Sequence, residues 1–357
     1  MKKFLLLLVL CWPLKILAIS ASSYIAYDLD NDFMYYGENI DDERLIASIT
    51  KIMTCIVAIE NTDISKEITV GEEVLKAYGS AIYLSVGEKL KIEDLLYGLM
   101  LRSGNDASIE VAFHTAGSMA KFAQLMNEYA QKIGMKNSYF YNAHGLEEKE
   151  KIGNTSTAKD MALLTQYAMK NATFRKIFGT KKYVLKTNMK TYSWINKNKL
   201  LHSEDYITGG KTGYTKLAKR TLVTTASRNN LNIVIVTLND GNDFGDHKNL
   251  YEKIYREYVA KLLVKKDKVS IKEDNPYKDD ILYLQNDIYV PIKTNREENF
   301  SLKYELLDNK EYKDGDLVGY VNVWQDDKLI RREAIYVKTH NKTSLSWWQK
   351  FIRWLKW

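Results

Sequence analysis

The sequence predicts an α+β domain over residues 21–264, followed by a small all-β domain at 281–340 and a short amphipathic helix at 344–357. Three observations carry this. Strand-like runs sit at both ends of the first segment, with helical periodicity between them. Beyond residue 280 only short strand-like runs remain. The last fourteen residues separate cleanly into an apolar and a basic side.

The elements read in order as follows. Lys2 and Lys3, the apolar stretch Phe4 to Leu10 and the small residues Ala18 to Ser22 have the layout of a secretory signal, placed at 1–20. Pro13 and Lys15 interrupt the apolar run, which argues against a transmembrane anchor. Residues 24–38 read as two strands around a turn at Asp28–Asp32. Leu45 to Glu60 reads as a helix, with Ile52, Ile56 and Ile59 at helical spacing. Further helical pattern covers 92–134, and Thr157 with Asp160 caps a helix over 158–170. Tyr206–Thr215, Arg220–Ser227 and Leu231–Leu238 read as antiparallel strands, the last two joined at Asn229-Asn230. His247 to Val264 reads as a helix with Leu250, Ile254, Tyr258 and Leu262 on one face. Lys265–Asp280, charged and holding Pro276, reads as a linker. Short runs at 281–284, 288–292, 302–306, 317–324 and 335–337 make up the all-β domain, and no internal repeat is found.

In the tail, a helical turn of about 100° per residue puts Trp347, Trp348, Phe351, Ile352, Trp354 and Leu355 on one side. Lys350, Arg353 and Lys356 fall on the other, and only Trp357 is misplaced. Such a helix is about 21 Å long, too short to span a hydrocarbon core of roughly 30 Å. It is expected to lie in the membrane surface, its aromatic side in the lipid and its cations at the headgroups.

Composition narrows the function. The 357-residue chain, 45% apolar, is long enough to bury a large core. Loss of 1–20 removes Lys2, Lys3 and Lys15 and no acids, so the formal charge falls from +7 to +4. That balance, with both signs interspersed, gives no sign of nucleic-acid binding. Cys55 is then the one cysteine left, so no internal disulfide forms; among Ile52, Ile56 and Ile59 it reads as a small buried apolar residue. The five histidines show no paired metal-ligand spacing, which disfavours a zinc peptidase, and no cofactor is expected.

Three motifs in fixed order suggest chemistry: Ser48-Ile49-Thr50-Lys51, Ser103-Gly104-Asn105 and Lys211-Thr212-Gly213. Ser-x-x-Lys alone is weak, for it recurs at Ser118–Lys121 and Ser156–Lys159, in more polar surroundings. Ser-x-Asn recurs at Ser227–Asn229, whereas Lys-Thr-Gly occurs once. Spacing i, i+3 puts Ser48 and Lys51 on one helix face. A serine hydroxyl needs a neighbour to take its proton, and a lysine does so only when neutral. Burial and a second cation both lower a lysine pKa. Leu45, Ile46, Ala47, Ile49, Ile52 and Met53 surround the pair, which predicts a buried helix. Ser103 is a candidate proton relay and Asn105 a candidate binder of a substrate amide, on a tight inward loop. Lys211 offers a cation and Thr212 a donor for a terminal carboxylate. Gly209, Gly210 and Gly213 predict a strand that another backbone approaches, as an added substrate strand would. The amides of Ser48 and Tyr214 are candidate oxyanion donors.

With Arg102–Ala107, His144-Gly145-Leu146 and Ser156–Ala162 alongside, the motif set resembles the penicillin-recognising serine enzymes. More narrowly it resembles the low-molecular-mass penicillin-binding proteins that are D-alanyl-D-alanine carboxypeptidases, over roughly 22–264. The resemblance implies a β-lactamase/transpeptidase-like catalytic domain, with the β domain and tail matching the family layout. It implies acylation of Ser48 by peptidoglycan stem peptides ending in D-Ala-D-Ala, release of the last D-alanine, and inhibition by β-lactams. It also implies Lys51 as proton acceptor, Ser103 and Asn105 in relay and substrate binding, and Lys211, Thr212, Gly213 and Tyr214 along the substrate. Tyr214 departs from the histidine that several relatives carry. The implied location is the outer face of the cytoplasmic membrane. Two alternatives stay open: a class A-like β-lactamase, for which Glu150 to Asn154 has only a loosely similar spacing, and a non-catalytic binder of wall peptides or β-lactams. His144 reads as a structural hydrogen-bonding residue.

Overall fold

The computed structural model describes residues 19–148, 152–271, 275–309 and 311–339. The signal segment, Glu150 and the 344–357 tail therefore fall wholly or almost wholly outside the described residues. In the first domain five strands form an antiparallel sheet. In spatial order they are Met34–Glu38, Ser23–Asp28, Leu231–Leu238, Lys219–Arg228 and Ile207–Thr215. The chain's first and last strands of this sheet pair at its centre, Ile25 opposite Val236. The Lys-Thr-Gly strand lies at the edge, with Lys211 opposite Val223.

The sheet is covered on both faces, and the period of two along its central strand shows how. Val234, Val236 and Leu238 pack into one apolar cluster, while Leu231, Ile233 and Ile235 pack into another. The first cluster is built on helices α1 (Lys51–Asn61), α2 (Ile92–Leu101), α3 (Asn105–Ala116), α4 (Met119–Ile133), α5 (Ala158–Ala168) and α6 (Ala172–Phe178). Every residue of α1 from Lys51 to Ala58 is buried, as befits a helix apolar almost all round. Free Cys55 sits within it, and burial pushes its thiol pKa up. The second cluster takes in the short α7 (Leu200–Ser203) and the apolar stripe Leu250, Tyr251 and Ile254 of α8 (Asp243–Glu257).

The helix read over 247–264 ends earlier. The backbone turns extended at Tyr258, and Tyr258–Val264 is a strand paired with Ile288–Lys293. Its aromatic and branched residues suit a pleated surface as well as a helix face, and tertiary pairing decides between them. A four-stranded sheet follows, in the order Ile281–Tyr283, Lys328–Lys338, Leu317–Gln325, Phe300–Leu306. Within the stretch read as a linker, Tyr277 is 1% exposed and joins the core of this β domain. The hairpin of Lys182–Lys186 and Thr191–Ile195 gave no clear sequence signal.

His247 ties α8 to the sheet. Its Nδ1 shares a hydrogen bond with Thr224 Oγ1 at 2.7 Å and its Nε2 one with Thr237 Oγ1 at 3.1 Å. Burial lowers its pKa from 6.5 to about 3. The unfolded chain then takes up the proton first as pH falls. Stability is full above pH 6.5 and is lost as pH falls toward 3, by up to about 1.4 kcal/mol per pH unit for such a residue. Replacing His247 by Gln should flatten the dependence of the urea midpoint on pH between about 6.5 and 4.5. Equal slopes in the two proteins would contradict the assignment.

Candidate active site

Ser48 lies in a 3₁₀ turn, Ala47–Thr50, that leads directly into α1. The turn is reached through strain, since Ala47 has φ +48°. Gly145 allows it to be held there. With φ +84°, a Cβ at Gly145 would stand 2.0 Å from the Ala47 carbonyl oxygen. The neighbouring His144 presents its own carbonyl to the site.

Lys51 opens α1 with a side chain that is 0% exposed. Its Nζ donates to the His144 carbonyl at 2.7 Å and to Asn105 Oδ1 at 2.8 Å, and lies 3.1 Å from Ser48 Oγ. Burial, then the charge of Lys197, lowers its pKa from 10.5 to about 7, while Asp106 pulls the other way. A neutral amine has two N–H groups and one lone pair. The two carbonyl-type acceptors take the N–H groups, which leaves the lone pair for the serine hydroxyl. The other outlet for that hydroxyl, the His144 carbonyl, is farther away at 3.5 Å.

Asn105 begins α3, and its amide orientation is fixed at both ends. Its Nδ2 donates to the Tyr78 carbonyl at 2.6 Å, so Oδ1 must face Lys51. The sequence suggested that Asn105 meets the substrate. Here the side chain is 1% exposed and both ends are engaged by the protein. The loop beside it is pinned by Asp106, which accepts from the amides of Ile82 and Leu84. Ser103, also at positive φ (+64°), accepts from Lys211 Nζ at 3.0 Å. Lys211 also donates to the Thr212 carbonyl at 2.6 Å. Burial, then Lys51, then Lys197, pushes the Lys211 pKa well below its ordinary value.

The glycines of the edge strand allow close approach of other parts of the chain. A Cβ at Gly209 would strike Phe178, one at Gly210 would strike Asn198, and one at Gly213 would meet Thr221 and the Ser48 amide. The approaching backbone and side chains belong to the protein itself. Gly213 lets the strand run against the turn that carries Ser48.

A cleft of about 430 Å³ brings Ser48, Ser103, Thr212, Gly213 and Tyr214 together, with Tyr214 exposed on its rim. Four lining residues escaped the sequence reading: Ser80, Lys197, Arg220 and Asp243. Arg220 and Asp243 form an ion pair at 2.5 Å. Arg220 stands opposite Tyr214 in the sheet, so correct strand pairing was the signal that would have found it. A larger cleft of about 1170 Å³, at the junction with the β domain, is lined by none of the residues of the three ordered motifs. The other Ser-x-x-Lys copies have structural work. Ser118 caps α4 by accepting from the Lys121 amide, and Lys159 pairs with Asp41.

Comparison with known proteins gives the family. A family profile described as D-alanyl-D-alanine carboxypeptidase (peptidase S11) matches residues 13–242, and one for the penicillin-binding protein 5 C-terminal domain matches 258–343. The chain is 33% identical to the D-alanyl-D-alanine carboxypeptidase DacF of Bacillus subtilis over 226 residues, 62% of this chain and 57% of that protein. It is 28% identical to DacA of Escherichia coli K12 over 346 residues, 89% of this chain and 83% of that one. Among solved structures, penicillin-binding protein 5 of Haemophilus influenzae aligns with a TM-score of 0.69 at 24% identity, covering 90% of this chain and 97% of that one. A point mutant of the Streptomyces K15 DD-transpeptidase aligns with a TM-score of 0.62 at 29% identity, covering 66% and 97%. The chain therefore belongs to the D-alanyl-D-alanine carboxypeptidase family, peptidase S11.

Proposed function

We propose that this chain removes the terminal D-alanine from peptidoglycan stem peptides through an acyl-enzyme on Ser48, and that β-lactams acylate the same serine. The observation that carries the reading is the buried Lys51 amine, with both N–H groups committed and its lone pair left for Ser48 Oγ at 3.1 Å. Lys51 takes the hydroxyl proton as Oγ bonds to the carbonyl carbon of the penultimate D-alanine. The amides of Ser48 and Tyr214 hold the oxyanion, each donor worth about 10²–10³ in rate. The C–N bond to the last D-alanine then breaks, and the proton that Lys51 took is passed through Ser103, which Lys211 contacts, to the leaving nitrogen, so Lys51 is neutral again. Water releases the shortened peptide by the reverse sequence. Thr212 and Lys211 meet the terminal carboxylate. That negative charge favours the Lys211 ammonium, and the ammonium in turn keeps Lys51 neutral. The protein acts on the outer side of the cytoplasmic membrane, with 344–357 lying in the membrane surface. Among the described residues no helix is long and apolar enough to cross a membrane.

Mass spectrometry after penicillin treatment should find one long-lived adduct on Ser48, and none on a Ser48→Ala protein. D-alanine should be released from stem peptides. Rapid loss of the adduct would indicate a β-lactamase, and no D-alanine a binder. Acylation should rise tenfold per pH unit below about pH 7 and level off above it, as Lys51 loses its proton. Lys51→Arg should remove that limb and cost roughly 10²–10⁴ in rate. An unchanged profile would remove Lys51 as the base.

Deleting 344–357 should move the protein from the membrane to the soluble fraction while leaving activity on soluble peptides. No shift would refute the anchor.

A further inference from the structure

We propose that Glu73, Glu110 and His114 form a binding site for a divalent transition-metal cation of the zinc type, which braces the wall of the cleft and takes no part in bond breaking. Glu110 and His114 stand at i, i+4 on α3 and so share one face of the helix. Glu73 reaches them from the 3₁₀ turn Glu72–Lys76. One ligand atom from each residue lies within 4.8 Å of the other two.

Glu110 points to a missing partner. Its side chain is 0% exposed, yet among the described residues Oε1 has no hydrogen-bond partner. Among the described residues Oε2 makes two long contacts, with the Gly71 amide at 3.4 Å and His114 Nε2 at 3.4 Å. A carboxylate oxygen shut away from water and protein donors alike needs a counter-ion or a proton. The Oε2–Nε2 separation already matches the roughly 3.3 Å edge of a tetrahedron with zinc–ligand bonds near 2.0–2.1 Å. Glu73 is half-buried, with its ligand atom within 4.8 Å of the other two. One imidazole and two carboxylates suit zinc better than magnesium or calcium, which favour all-oxygen sets. Three protein ligands leave a fourth position for water.

The location gives such an ion a mechanical part. The turn carrying Glu73 runs on to Tyr78, whose carbonyl holds Asn105 Nδ2 at 2.6 Å, and to Ser80 in the cleft. Asn105 is the first residue of the helix that carries Glu110 and His114. A cation joining the two segments would lock the support of Lys51 from behind, without touching substrate.

The test is titration of the full chain, stripped with a chelator, with zinc chloride by calorimetry. One saturable site per chain is expected, and Glu73→Gln and His114→Ala should each weaken it at least about ten-fold. Zinc should also slow amide hydrogen exchange across residues 70–80 in the parent protein and not in these variants. Glu110→Gln, in the core, is a further check. Because Glu73 and His114 are partly exposed, their replacement leaves the fold intact enough to read. No saturable binding up to about 1 mM zinc, or unaltered affinity in both variants, would overturn the proposal.

Discussion

The site depends on one buried amine. Taking a lysine out of water disfavours its charged form, and the cost is tolerable only if the neutral amine is well served. Lys51 is served by two acceptors from different parts of the chain, the His144 carbonyl and Asn105 Oδ1. Those acceptors do more than offset burial. They fix the direction of the lone pair, and so determine which hydroxyl it meets. Apolar α1 provides the burial, and α3 and the 142–146 loop provide the acceptors.

The rest of the fold holds that arrangement. Ala47 and Ser103 both occupy left-handed backbone, a cost that persists where surrounding contacts over-determine the geometry. Gly145 gives way to the Ala47 carbonyl, Asp106 ties the loop over Ile82 and Leu84, and Gly213 admits the edge strand to the Ser48 turn. Among the described residues, the edge position of Ile207–Thr215 leaves one side of that strand free of a sheet partner. Three lysines converge here. Lys197 lowers both Lys51 and Lys211 by its charge, and is itself lowered by burial and by Arg102. Positive charge beside the neutral Lys51 amine suits a carboxylate, which the proposed substrate brings.

Much of this could be read from the chain. The strand triplet, the buried α1 and the order of the three motifs follow from periodicity and from the apolar setting of Ser48 and Lys51. What escaped was information carried by neither side-chain type nor spacing. The His144 acceptor is a backbone carbonyl, so the residue's own chemistry gives no hint of it. The strain at Ala47 and Ser103 is imposed by tertiary contacts on residues with no special preference for it. Lys197 stands between two asparagines with no motif around it. Asn105 was recognised as important, but its partners, Lys51 and Tyr78, are set by packing. Tyr258–Val264 has residues that satisfy both a helix stripe and a strand, and only its pairing with Ile288–Lys293 chooses.

The central claim, an uncharged amine at Lys51 near neutral pH, is open to direct measurement. Nuclear magnetic resonance of the Lys51 side-chain nitrogen, assigned by a Lys51→Arg control, would follow its protonation across pH 5 to 11. A transition near pH 7 is expected in the free protein. A transition near the ordinary 10.5 would leave Lys51 a cation, with no lone pair to offer Ser48, and would contradict the mechanism.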